Sequence, residues 1–165
     1  MDAEFALIRE IYNASWSCNW GFVPLSDHEM RDIQKKVMKF VDPDLVFFIY
    51  YENEPAAACV IFPDINPLLK RLNGRIGLTG VLKLLMYRRE IRGLRCLIFV
   101  IKEKYQQLGL PMLAFQHIFE VVRKKEKYHY LELGWTLEDN ESINSFIEEA
   151  GAKTCKKYRV FRKSL

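Results

Sequence analysis

Cysteine and histidine are scarce in this chain, and scattered where they occur. Four cysteines (Cys18, Cys59, Cys96, Cys155) and three histidines (His28, His117, His129) among 165 residues form no metal-spaced or paired motif. That argues against a disulfide scaffold and against a zinc site, and no metal is expected. Cys59 and Cys96 lie inside apolar runs, as reduced buried thiols commonly do. Long hydrophobic runs are missing as well. The longest span seven residues, 45–51 and 56–62, against the roughly 20 that cross a bilayer. No cationic start followed by an apolar stretch marks a secretory leader, so a cytoplasmic protein without stable membrane insertion is expected. Six prolines and eight glycines are dispersed, and no repeat, linker or low-complexity tract divides the sequence, which reads as a single domain over 1–165.

What is present is half hydrophobic by count, enough for a substantial core at this length. Residues 4–13 read as a helix. Ser26 and Glu29 form a capping box that opens a second helix, running to about residue 41. Strands at 45–51 and 56–62 flank Glu52-Asn53-Glu54-Pro55, which has hairpin-turn chemistry. An apolar and basic segment at 78–89 reads as a short helix. A strand follows at 94–101, then a helix whose apolar positions Leu110, Leu113, Ala114, His117, Ile118, Val121 and Val122 recur at steps of three and four. On that stripe His117 reads as a core histidine. A strand at 128–135 leads to Asn140, after which Ile143, Phe146, Ile147 and Ala150 make another stripe closed by Gly151. The tail, 152–161, reads as a last strand.

The most informative passage lies between the strand at 94–101 and the helix that begins near Leu110. The first amides of a helix have no internal partner, and with the helix dipole they form a positive end suited to a pyrophosphate. Gly109 lets backbone approach closely at that point. Pro111 fits the first helical turn but removes one amide donor. Taken alone, a glycine between a strand and a helix more often merely connects the two.

The surroundings narrow this. Tyr105-Gln106-x-x-Gly109 after a hydrophobic strand resembles the acyl-CoA signature Q/R-x-x-G-x-G/A of the GCN5-related N-acetyltransferase (GNAT) superfamily. Trp135-Thr136-Leu137-Glu138-Asp139-Asn140, a helix and Gly151 resemble its next stretch. The resemblance covers most of the chain and is nearest to a bacterial subgroup without a settled substrate. Its marks are Ile11-Tyr12-Asn13-x-x-Trp16-x-x-Asn19-Trp20-Gly21-Phe22, Val41-Asp42-Pro43-Asp44-Leu45-Val46, Pro63-Asp64-Ile65-Asn66 and Leu69-Lys70-Arg71-Leu72-Asn73-Gly74-Arg75. It implies an α+β fold with a central mixed, mostly antiparallel sheet flanked by helices. That fold normally starts with a strand before the first helix, so the resemblance also implies a fragment of a longer protein.

The resemblance further implies direct transfer of an acyl group from acetyl-CoA or another acyl-CoA to a primary amine, on a small molecule or a peptide. Acyl-CoA would lie in a wedge between the strands at 94–101 and 128–135. Phe99 and Ile101 would offer backbone groups to its pantetheine arm. Gln106, Gln107, Leu108, Gly109, Leu110 and Pro111 would surround its pyrophosphate, with Asn140 contributing. Glu132 is the candidate general base with Glu138 behind it, although a glutamate on a half-exposed strand is more often just solvated. Asn140 also suits an ordinary helix cap. Many members place a tyrosine seven residues after that asparagine to protonate the leaving thiolate. Here the position is Ile147, which leaves Tyr158 or Tyr50 as substitutes. Trp16, Asn19, Trp20 and Phe22 form an aromatic loop that suits an acceptor pocket or a hydrophobic lid equally. Asp64 and Asn66 could add polar recognition, or could simply form a turn.

Net charge is +4, but residues 64–95 hold eight basic side chains against two acidic ones. Such a patch attracts phosphates, nucleic acid or an anionic membrane, though a solvated face is commoner. Two rivals to the enzyme reading therefore stand: a catalytically silent module that binds CoA or a partner, and a basic surface module for nucleic acid or lipid. No recognised nucleic-acid module is present, so no nucleic acid is expected. Free strand edges make a homodimer a further expectation.

Overall fold

The computed structural model describes residues 2–17, 21–37, 41–72, 86–161 and 163. It divides into two compact units, residues 1–133 and 134–165.

The first unit is built on a sheet of four strands, β1 (Val46–Tyr51), β2 (Glu54–Pro63), β3 (Gly93–Ile101) and β4 (Tyr130–Glu132), in that spatial order. β1 to β2 and β2 to β3 are antiparallel, and β3 to β4 is parallel. Helices α1 (Asp2–Trp16) and α2 (Asp27–Val37) cover one face. Helix α4 (Leu110–Lys125) covers the other, and the short α3 (Asn66–Arg71) follows β2. With both faces buried, the strands read in sequence as continuous apolar runs.

Alternation along the strands assigns the faces. Val46, Phe48, Val60 and Phe62 pack with Ile8 of α1 and Met30 of α2, and Ala58 and Val100 pack with Ile11. Phe47, Cys59, Ile61 and Leu94 pack with Ile118 and Val121 of α4. Ile8, Ile11, Ile61, Leu94 and Val100 are nearly or wholly closed to solvent, each contributing about 1.5–3 kcal/mol on transfer from water. One irregularity resets the alternation. Val60 pairs with Ile98 but Ile61 pairs with Cys96, so Leu97 is an extra residue without a partner on β2. Because of this bulge Leu94 and Cys96 before it, and Phe99 and Ile101 after it, all face the α4 side.

Local chemistry sets the element ends. The capping box forms as read: the Glu29 amide donates to Ser26 Oγ at 3.3 Å and the Ser26 amide to Glu29 Oε2 at 2.9 Å. The hairpin is a two-residue turn in which Glu52 (φ 48°) and Asn53 (φ 66°) are both left-handed, the geometry that matches strand twist. Lys125 at the end of α4 bonds Asp42 at 2.8 Å and Asp44 at 2.9 Å, clamping the helix to the turn before β1.

Several expectations are corrected. The strand expected at 128–135 is paired only over Tyr130–Glu132. Residues 152–161 form no strand; the tail has strand-forming residues but finds no ladder to join. On α4, Leu110, Ala114, Ile118 and Val121 are buried, but Leu113 is 53% exposed and His117 is also exposed. His117 stacks on Phe47 with ring centroids 4.5 Å apart and is not a core histidine. The helix expected at 78–89 falls largely outside the described residues. α1 extends beyond the expected 4–13 at both ends.

The second unit contains helix α5 (Glu141–Glu149). Thr136 donates to Asn144 Oδ1 at 2.6 Å and the Asn144 amide group donates to the Leu137 carbonyl at 2.9 Å, fastening the segment before α5 to it.

Candidate functional site

β3 and β4 pair at three positions only, Gly93 with Tyr130, Leu94 with Leu131 and Arg95 with Glu132. β3 continues beside β2 as far as Ile101. From Cys96 onward the other edge of β3 has no strand partner among the described residues, an open run of about 20 Å at ~3.3 Å per residue. The Lys102 amide donates to the Ala56 carbonyl at 2.9 Å, toward β2. Backbone groups alternate in direction along a strand, so those of Phe99 and Ile101 point to the open edge. Leu97, the bulge residue, is 51% exposed on this stretch.

The loop after β3 passes through a 3-10 turn, Glu103–Tyr105, to Gly109, which caps α4 with φ 68°. The amides of Tyr105, Gln106 and Leu108 donate to carbonyls of the loop itself. Those of Gln107, Gly109 and Leu110 find no acceptor among the described residues, and Pro111 has no amide hydrogen. Three free donors thus gather at the positive end of a helix. A Cβ on Gly109 would meet nothing within 4 Å, so the need for glycine is conformational, and the approach to the amides is open.

Side chains brace this loop from beneath. Gln106 Nε2 donates to the Ile101 carbonyl at 3.5 Å. Glu54 at the start of β2 accepts from Tyr105 OH at 2.7 Å and from Lys104 Nζ at 2.7 Å. These bonds hold the Glu54 carboxyl down to about 2, Lys104 giving the larger effect, and push the Tyr105 phenol up. Lys102 Nζ, with its side chain only 15% exposed, stands 3.6 Å from both Glu10 and Glu54.

Glu132 lies where β3 and β4 part. Its Oε1 accepts from Arg95 Nη2 at 3.0 Å, with both side chains largely shielded. At the start of the same two strands Asp64 is buried, accepting from the Asn66 amide at 3.0 Å and from Tyr130 OH at 2.8 Å. That bond and partial burial push the Tyr130 phenol up. Asp64 and Asn66 thus stand at the opposite end of β3 from the loop at 103–109, with Asp64 making a turn.

Trp16 closes α1, half-buried against Ile11, Ala58 and Val100, and Tyr12 stacks between it (4.7 Å) and Phe22 (5.7 Å). Asn19 and Trp20 lie outside the described residues. Asn13, which sequence reasoning did not single out for a role, holds this region in shape. It donates to the Leu25 carbonyl at 3.1 Å and accepts from the Leu25 amide at 2.9 Å. Its sequence signals are its place in the stretch Ile11-Tyr12-Asn13-x-x-Trp16 and an amide side chain on an otherwise amphipathic helix. Arg95 was also missed as a site residue, because its partner is distant in sequence.

In the second unit Asn140 caps α5, its Oδ1 accepting from the Ile143 amide at 3.4 Å. Glu138 pairs with Arg159, which pulls its carboxyl below the usual range, and Tyr158 is exposed. Tyr50 on β1 is exposed as well. No group of three or more potential metal ligands occurs among the described residues.

The fold is that of GNAT-type N-acetyltransferases. An aminoglycoside 6'-N-acetyltransferase from Acinetobacter haemolyticus superposes with a TM-score of 0.60 at 11% identity, over 100% of this chain and 95% of its own. A ribosomal-protein-alanine N-acetyltransferase from Brucella melitensis gives 0.60 at 11% identity, over 99% and 92%. No family model matches the chain. Among curated proteins, Protein YghO of Escherichia coli K12 is 32% identical over 170 residues, 98% of this chain and 43% of its own length. A bacterial ceramide synthase of Caulobacter vibrioides is 32% identical over 171 residues, 99% and 44%. The chain therefore spans less than half the length of these two relatives.

Proposed function

We propose that this chain carries an acyl-CoA-dependent N-acyltransferase centre, with its two units parts of one domain. The observation that supports it most is the coincidence of two features: β3 leaves β4 after Arg95, and three unpartnered amides gather where β3's open edge runs out. The amides of Gln107, Gly109 and Leu110 would hold the pyrophosphate, with Gln106, Leu108 and Pro111 shaping the loop around them. The open-edge groups of Phe99 and Ile101 would run beside the pantetheine arm. The acceptor nitrogen attacks the thioester carbonyl, the C–N bond forms and the C–S bond breaks. In this reading Glu132 takes the proton lost by the amine, and CoA leaves as a thiolate protonated from solvent. Asn140 and Tyr158 enter as the resemblance implies, and Trp16, Asn19, Trp20, Phe22, Asp64 and Asn66 as acceptor-side candidates.

A specific observation favours a longer donor than acetyl. The Caulobacter relative is named a ceramide synthase, and ceramide is the amide of a fatty acid with a long-chain amino alcohol. We therefore propose a long-chain acyl-CoA and a long-chain primary amine as the first substrates to try. Calorimetric titration with acetyl-CoA and with palmitoyl-CoA tests this, with Gly109→Leu as control. Saturable binding of either donor by the wild type, weakened at least about tenfold by the substitution, is expected. Tighter palmitoyl-CoA binding would name the donor class. No binding of either donor, or equal binding by the variant, would overturn the cradle.

A further inference from the structure

The Arg95–Glu132 pair is the only ion pair among the described residues that joins two strands of the sheet. It occupies the last register position shared by β3 and β4. Immediately beyond it β3 has an open edge, so the pair forms the vertex of the wedge. The contact is one-sided: Arg95 Nη2 engages Glu132 Oε1, and Oε2 has no partner among the described residues. The side chains retain 34% and 24% exposure, enough for contact with a bound molecule. A half-shielded pair of this kind contributes little to stability. Lys125 and its two aspartates, at the far end of α4, are a structural clamp by contrast, since they tie a helix end to a turn.

We propose that Arg95 is the positioning residue for Glu132: it fixes one carboxylate oxygen at the wedge vertex and leaves the other for the acceptor's ammonium group. This rests on the acyltransferase reading and on Glu132 as the group that takes the amine's proton. A glutamate on an open strand end otherwise rotates among several rotamers, and a base misplaced by about 1 Å can lose on the order of 100-fold in rate. The guanidinium, planar and always charged, selects one carboxylate orientation where a lysine ammonium would hold it less firmly. The other polar groups on the strand at this vertex are accounted for. Tyr130, two residues before Glu132 on β4, is engaged by Asp64, so it does not compete for the free oxygen.

The test uses the full chain, with the donor and amine that the wild type turns over, and five proteins: wild type, Arg95→Gln, Arg95→Lys, Glu132→Gln and the double variant Arg95→Gln/Glu132→Gln. Arg95→Gln is expected to lower kcat roughly 10- to 100-fold, with KM for acyl-CoA within about twofold and thermal stability nearly unchanged. Arg95→Lys should recover part of that loss. Glu132→Gln should lose about 100-fold or more, and the double variant should be no slower than Glu132→Gln alone, because Arg95 acts through Glu132. An unchanged kcat in Arg95→Gln would overturn the proposal. So would a loss that is fully additive with Glu132→Gln, or one shared equally by kcat, acyl-CoA binding and melting temperature. If Glu132→Gln retains full rate, both its base role and Arg95's positioning role fall while the acyltransferase reading stands. If the wild type transfers no acyl group at all, the function falls and takes this role with it.

Discussion

Glu54 shows how one carboxylate far from any reacting atom can set the shape of a site. It takes bonds from Lys104 and Tyr105, and its carboxyl is held from its ordinary 4.5 down to about 2. A lowered carboxylate contributes order that is complete above the unfolded value and is lost as pH falls toward the folded one. The brace under the loop at 103–109 should therefore loosen between about pH 4.5 and 2. Amide exchange of Tyr105, Gln106 and Leu108, whose amides are bonded within the loop, corrected for intrinsic rates, should accelerate in that window and stay flat from pH 5 to 8. Acceleration identical in Glu54→Gln would remove the carboxylate from the account. At this scale the sequence was only partly legible. Gly109 was visible because a left-handed residue before a proline-bearing helix start leaves a local trace. Arg95 was not, since its partner on β4 follows a crossover through α4 and the contact exists only once the parallel strands pair.

Among the elements, the start of β3 and β4 is locked by packing as well as by hydrogen bonds. A Cβ on Gly93 would lie 2.1 Å from Cζ of Tyr130, so the ring covers the glycine while its hydroxyl reaches buried Asp64 at 2.8 Å. Gly93→Ala should destabilise the fold by about 1–3 kcal/mol through overpacking, and Tyr130→Phe by about 1–3 kcal/mol by leaving a buried carboxylate oxygen without its donor. Since Gly93→Ala displaces the same ring, the double variant should lose less than the sum of the two in chemical denaturation. Full additivity would show that the ring is not the shared element. Helices α1, α2 and α4 were readable because their period, caps and stripes are local properties. β4 and the tail were misjudged for the opposite reason: a strand's length depends on a partner, and residues 128–135 find one at only three positions. His117 matched the period of the α4 stripe yet lies at its margin, where a few tens of degrees around the helix separate core from solvent.

For the whole molecule, the basic surplus and the open helix end both favour a polyanionic ligand. No helix among the described residues is long and apolar enough to cross a membrane. An acyl-CoA bound only by the folded chain stabilises it by about 2.7 kcal/mol at 100 times its Kd, which for this size raises Tm by about 5–10 °C. Differential scanning fluorimetry with free CoA and with acyl-CoA should show most of that shift for both, since the phosphate contacts are common to them. A shift seen with heparin but with neither CoA species would favour the basic surface module.

The bulge at Leu97 has a further consequence, for how this sequence can drift. Removing that one residue would mend the ladder with β2 and leave every other side chain of β3 on the face it already holds, because residues paired across a ladder share a face. The damaging change would be to keep the residue and draw it into the ladder: the pairing would slip by one, Phe99 and Ile101 would leave the α4 side and trade places with Ile98 and Val100, and their backbone groups would swing from the open edge into the sheet. This strand can therefore lose position 97 more safely than it can flatten it, and the side chain there is free to vary as long as the bulge stays in place.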